Sequence, residues 1–266
     1  MRKLTILFLI FFSLKSYCQK QIEISENKIS QLFYESLDSL KVKYDLKDLR
    51  ETDDRVIRIW NTNEIISLGE HPQYIFHAHN GEKAIIEKRN LAKNFNLDSL
   101  FYSFRKNSNP KNNQIHIDAF PKSIELNSSN SYNLISFYRN EQLEELIRTI
   151  RKENSINELR NTIISNLPAG NYQLGMTGLK IDHLPKENKS NFYKKIISDI
   201  TKELKVTEQT NPTEMPLILI NNKLHFFKDL NELMLSDVKD YEIISDKRKV
   251  LYGTNGRFGV IKVNTN

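Results

Sequence analysis

The stretch that most constrains this chain is its last fifty residues, Pro216 to Thr265, which read PLILINNKLHFFKDLNELMLSDVKDYEIISDKRKVLYGTNGRFGVIKVNT. Leu217 to Ile220 form a near-continuous apolar run, as a strand buried on both faces would. Asn221-Asn222 follows, and asparagine accepts left-handed backbone, so the pair reads as a tight turn. Leu230, Leu233, Met234 and Val238 recur at helical spacing and predict a helix over 230–238 with one apolar face. A short strand at 241–244, tight turns at Gly253, Gly256 and Gly259, and a closing strand at 259–263 complete a small α/β unit.

The order of these landmarks resembles the plug domain of TonB-dependent outer-membrane receptors. Pro216, Leu217 and Ile218 stand where that family opens its first strand, and Asn221-Asn222 takes the place of its usual Asp-Gly turn. Asp237-Val238 matches Asp-Ile, Glu242-Ile243-Ile244 matches Glu-Val-Leu, and Leu251-Tyr252-Gly253 matches Leu-Tyr-Gly. Gly256, Gly259, Val260 and Ile261 match the closing Gly-x-x-Gly-Val-Ile. The resemblance covers about a fifth of the chain and implies residence in a Gram-negative envelope, with an outer-membrane or TonB-system protein as partner. The sequence ends at Asn266, and the repeated alternating strands of a membrane barrel do not follow. The expectation is therefore a plug-like docking module rather than a transporter, because a fold does not carry its function with it. The three glycines do not make a phosphate cradle: their spacing is not that of a P-loop, and no Lys-Ser/Thr opens a following helix.

The amino terminus sets the compartment. Arg2 and Lys3 form a basic region, residues 4–14 are apolar, and Ser16 and Cys18 place small residues for cleavage before Gln19. This is the pattern of a secretory signal peptide at 1–18, and its apolar run is shorter than the ~20 residues of a membrane span. Lipidation of Cys18 is the rival reading, but Tyr17 and Lys15 fit a lipobox poorly. Cys18 is the only cysteine, so cleavage behind it leaves a chain without disulfides or thiol chemistry. Losing Arg2, Lys3 and Lys15 takes Lys and Arg from 39 to 36 against 33 acids, and the net charge from +6 to +3. Charges of both signs interleave, with Lys247-Arg248-Lys249 the one dense basic run, which reads as a solvated surface and not as a nucleic-acid site.

Between these ends the pattern is α+β. Ile29, Leu32, Phe33, Leu37 and Leu40 predict a helix over 25–40. Strands are expected at 55–60 and 64–68 around Asn61-Thr62-Asn63, and at 74–79 and 82–88 around Asn80-Gly81, a strong hairpin signal. A short helix at 97–105 precedes strands at 114–120 and 132–138. Helical spacing returns at Leu143, Leu146, Ile147 and Ile150, and Ser155 with Glu158 forms a capping-box pattern before Leu159, Ile163, Ile164 and Leu167. Pro168-Ala169-Gly170 ends that helix, a strand is expected at 172–177, and another helix at 188–204. The polar stretch 207–213 contains Pro212 and reads as a linker between a domain at 19–206 and the plug-like unit at 214–266.

Little here reads as chemistry. Across an Asn80-Gly81 turn, His77, His79 and Glu82 would share one face of the hairpin, and two imidazoles with a carboxylate suit zinc. No His-Glu-x-x-His helix accompanies them, and a polar hairpin tip explains them as well. His116 and Asp118 share a face of another expected strand. No Gly-x-Ser-x-Gly elbow is present, and the carboxylate pairs Asp53-Asp54 and Glu144-Glu145 are sequence neighbours that point apart. Trp60, Tyr74 and Phe76 make either a ligand-stacking shelf or the core of a meander. The expectation is thus an exported, non-enzymatic interaction protein with no assigned catalytic, metal or cofactor residue. The alternatives are a periplasmic small-ligand binder and a hydrolase using His77, His79 and Glu82.

Overall fold

A computed structural model describes residues 20–81, 83–92, 95–108, 120–175, 177–186 and 189–266. The expected signal peptide at 1–18, with Cys18, lies outside the described residues, as do Glu82, His116, Asp118 and most of the expected 114–120 strand. The fold is α+β, and the chain divides into two compact units, residues 1–77 with 86–159 and residues 78–85 with 160–266.

Helices on both faces of one sheet explain the apolar runs of the first unit. Its elements are β1 (Gln21–Ile24), α1 (Lys28–Tyr44), β2 (Val56–Asn61), β3 (Glu64–Leu68), β4 (Gln73–Asn80), β5 (Lys83–Asn90), α2 (Leu97–Lys106), β6 (Lys122–Asn127), β7 (Ser131–Phe137) and α3 (Glu141–Glu153). The order is β1-β7-β6-β2-β3-β4, with β5 on β4; β1 runs parallel to β7, and the neighbours from β7 to β4 are antiparallel. On one face Trp60, Ile65, Ile75, Tyr132 and Leu134 meet Leu37 and Tyr44 of α1. Alternation sends Ile57, Ile59, Ile66, Tyr74 and Phe76 to the other face, where all five are buried. That is the face reached by Arg151 of α3, which pairs with Glu64.

Local chemistry moves several boundaries. Asn27 caps α1 by accepting from the Ser30 amide, so the helix starts after Ser25 and runs on to Tyr44. Leu32, expected on the buried face, is 55% exposed, and Ser30 is buried there instead, its hydroxyl accepting from the Ser136 amide. β4 continues to Asn80 and β5 begins at Lys83, so the hairpin turns one residue later than expected, with Gly81 in the left-handed region. Ser155 is also left-handed, and its carbonyl accepts from the Leu159 amide.

The second unit holds the hairpin tip, most of α4 (Ile156–Asn166), β8 (Gly170–Leu174), β9 (Thr177–Ile181), α5 (Asn191–Leu204), β10 (Leu217–Ile220), β11 (Lys223–His225), the single turn α6 (Phe227–Leu230), β12 (Val238–Ile244) and β13 (Val260–Thr265). The single strand expected at 172–177 is instead an antiparallel pair, β8 with β9, turning at Gly175. The helix expected over 230–238 is absent: α6 ends at Leu230, a short 3-10 turn covers Leu235–Asp237, and Val238 already begins β12.

A four-stranded sheet, β11-β10-β13-β12, carries the end of the chain, with β10 and β13 parallel at its centre. Ile218, Ile220, Ile261 and Val263 on one face share a core with Phe192, Tyr193, Ile196 and Ile200 of α5. Tyr241 of β12 donates to Asp199 of α5 at 2.6 Å and meets Phe192 edge-on at 6.0 Å. The boundary expected at 207–213 is therefore not a seam: the Asp182 amide donates to Pro212 there, Met215 is buried, and the core runs across it.

Candidate interaction surface

Of the alternative metal face His77, His79 and Glu82, the two histidines are described and Glu82 lies outside the described residues. The His77 ring packs on Tyr44, centroid to centroid 5.0 Å, as part of the α1 face. His79 is half-buried and pairs in register with Gln173 of β8. No group of three or more metal-ligating side chains occurs among the described residues.

The aromatic shelf is core. Trp60, Tyr74 and Phe76 are 5%, 0% and 0% exposed, which leaves no ring face for a ligand. The Trp60 ring is held edge-on by Phe33 at 5.4 Å and Tyr44 at 6.1 Å, and its indole donates to Glu125 at 2.6 Å. Two carboxylates are buried in this unit without a sequence signal that marks them. Glu125 accepts from Trp60, from the Tyr132 hydroxyl at 3.0 Å and from Arg58 at 3.3 Å. Burial, then the Glu125 charge, pushes the Tyr132 phenol far up. Glu64 accepts from Tyr74 at 3.1 Å and pairs with Arg151. Glu125 faces α1 and Glu64 the opposite face, so the pair cannot act on one substrate. Of the adjacent pairs, Glu144 binds Lys122, Glu145 binds Arg148, and Asp54 binds Lys47.

The second unit presents surface instead. Asn221 and Asn222 both adopt positive φ, 50° and 63°, and close the β10–β11 hairpin. The Asn221 side chain is itself tied to Thr265 of β13 by two hydrogen bonds, of 2.8 and 3.0 Å. At the other end of the β10–β11 hairpin, buried Asp182 accepts from the amides of Phe227 and His183, and Lys180 reaches the Pro216 carbonyl at 2.7 Å. Burial pushes the Asp182 carboxyl up and the Lys180 amine down, and their pairing at 3.2 Å opposes both.

Two loops flank β12, whose pairing among the described residues is with β13 on one side. Before β12, the Asp237 carboxylate caps the Met234 amide at 3.1 Å and holds Met234 and Leu235 outward, 68% and 52% exposed. After β12, the Asp246 carboxylate caps the Arg248 amide at 2.9 Å, and Arg248 pairs with Glu242 at 2.6 Å. This loop carries Val250 and Leu251 at its tip, 74% and 84% exposed. Two glycines fix its path: a Cβ at Gly256 would sit 2.5 Å from the Lys249 carbonyl, and one at Gly259, where φ is 104°, would sit 2.5 Å from Leu204. A polar groove of about 540 Å³ opens between this loop and the end of α5, lined by Lys205, Lys249, Arg257 and Phe258 among others.

No protein-family model matches the chain, and no curated protein or solved structure matches it. Among the described residues no helix is long and apolar enough to cross a membrane.

Proposed function

We propose that this chain is an exported, non-enzymatic envelope protein whose C-terminal sheet docks on a protein partner of the outer membrane or of the TonB system. The observation that carries the reading is the pair Met234 and Leu235, held outward at the start of the open edge of β12 by the Asp237 cap. Large aliphatic side chains fixed in solvent beside an edge strand make a surface that a partner covers. The plug-like order of Pro216 to Ile261 supports an envelope protein as that partner.

The test is a photo-crosslinking residue at Leu235 in intact envelopes, with products identified by mass spectrometry. An outer-membrane barrel or TonB-like protein is expected, and Met234→Ser should remove it. A product list without either class, from correctly exported protein, overturns the reading. Deleting the whole segment is the wrong control, because it would strip the cover from Ile196 and Ile200 of α5.

A further inference from the structure

The loop between β12 and β13 has a chemistry of its own. Its tip, Val250 and Leu251, is among the most exposed aliphatic surface of the described residues. Lys247 and Lys249 precede the tip and Arg257 follows it; the sequence Asp246 to Phe258 carries four cations and one acid. Arg248 is committed to Asp246 and Glu242, whereas Lys249 and Arg257 line the groove below the tip with Lys205. Glu203 and Glu214 also line that groove, so the cationic excess belongs to the loop and not to the cavity.

We infer that this loop is a membrane-surface anchor that takes an anionic phospholipid bilayer: Val250 and Leu251 enter the boundary between headgroups and acyl chains, and Lys247, Lys249 and Arg257 meet lipid phosphates. Two exposed aliphatic side chains in one loop with these three cations, which stand outside the Arg248 ion pairs, suit an interfacial contact, since apolar insertion and charge attraction add. The loop comes to the surface already formed. The Asp246 cap holds one end, Gly256 and Gly259 hold the other, and Tyr252 packs on Leu217, Ile244 and Val260, so little order is lost on contact. The inference does not depend on the protein-docking reading, because Met234 and Leu235 lie at the other end of β12, about 20 Å away at strand rise.

The experiment is co-sedimentation of the chain from Gln19 onward with phosphatidylcholine vesicles, with and without phosphatidylglycerol, at low and high salt. Binding is expected only with phosphatidylglycerol and should weaken with salt. Lys247→Gln and Lys249→Gln should each weaken it about fivefold, the effect of one cation near an anionic surface. Val250→Ser with Leu251→Ser should weaken it at least about tenfold, from lost insertion, without changing the thermal melt, because both side chains are exposed. Equal binding to both vesicle types, or indifference to both sets of variants, overturns the inference. Displacement by inorganic phosphate at concentrations that leave ionic strength unchanged would also overturn it, and would make the groove a site for free anions. Loss of vesicle binding with the Leu235 crosslink intact would show the two contacts to be separate.

Discussion

The plug-like segment should not fold when cut out at the expected linker. One face of its sheet, Ile218, Ile220, Ile261 and Val263, is covered by Phe192, Tyr193, Ile196 and Ile200 of α5. Those four side chains are 0–1% exposed. Full burial of each is worth about 1.5–3 kcal/mol, so removing α5 forfeits about 6–12 kcal/mol. That is the size of a whole domain's net stability, about 5–15 kcal/mol. A fragment of residues 214–266 should therefore show no cooperative urea transition by circular dichroism and little amide protection from exchange. A fragment of residues 167–266, which restores β8, β9, α5 and the Lys180–Asp182 clamp, should show both. In the full chain, Ile200→Ala should cost about 2–5 kcal/mol, the range for truncating a buried aliphatic. A cooperative, protected 214–266 fragment would refute the shared core and reinstate 207–213 as a true domain boundary.

Three further outcomes follow from the geometry. Gly259→Ala combines a left-handed φ of 104° with a Cβ 2.5 Å from Leu204, and should cost roughly 2–5 kcal/mol in urea unfolding; an unchanged midpoint would mean that the loop and α5 are not packed as described. Glu125→Ala leaves Arg58 buried beside it without its carboxylate, and should cost about 3–5 kcal/mol, with Trp60 fluorescence reporting the lost indole hydrogen bond; Glu125→Ala at wild-type stability would contradict it. Burial alone would raise the Asp48 carboxyl, but hydrogen bonds from Arg50 and Lys41 hold it well below the ordinary 3.8. A depressed carboxyl contributes its stability above the unfolded pKa and loses it as pH falls through the folded one. Melting temperature should therefore drop below about pH 4 in the wild type and drop less steeply in Asp48→Asn; parallel slopes would rule Asp48 out.

Which parts were legible in the sequence follows from how far apart the deciding partners lie. The Asn221-Asn222 turn is local, and both residues adopt the positive φ their amide side chains tolerate. Strands β2 and β3 were legible because Asn61-Thr62-Asn63 punctuates two apolar runs. β6 was not: Ser123, Glu125 and Asn127 give it a polar look, yet all three are buried. Their partners are Ser136, the trio Arg58, Trp60 and Tyr132, and the carbonyls of Thr52 and Asp54, most of them more than sixty residues away in sequence. The helix read into 230–238 failed for a local reason that periodicity ignores. Asp229 and Asp237 fold back to cap the amides of Phe226 and Met234, which breaks the stretch into two separate turns. Leu230 goes into the core, and Met234 is left outside.

That failure is what gives the candidate surface its content. Had 230–238 been one amphipathic helix, Met234 would share its buried face with Leu230, and nothing would be offered to a partner. The aspartate caps instead hold four aliphatic side chains in solvent, two at each end of β12, in loops that need no further ordering. Stability does not require this arrangement, because the core of the sheet is complete without them: Ile218, Ile220, Leu230, Ile261 and Val263 are buried. The two exposed pairs differ in their surroundings: Met234 and Leu235 stand beside the acidic Asp237 turn, and Val250 and Leu251 stand in a loop rich in Lys and Arg, and on that difference the two proposed contacts rest.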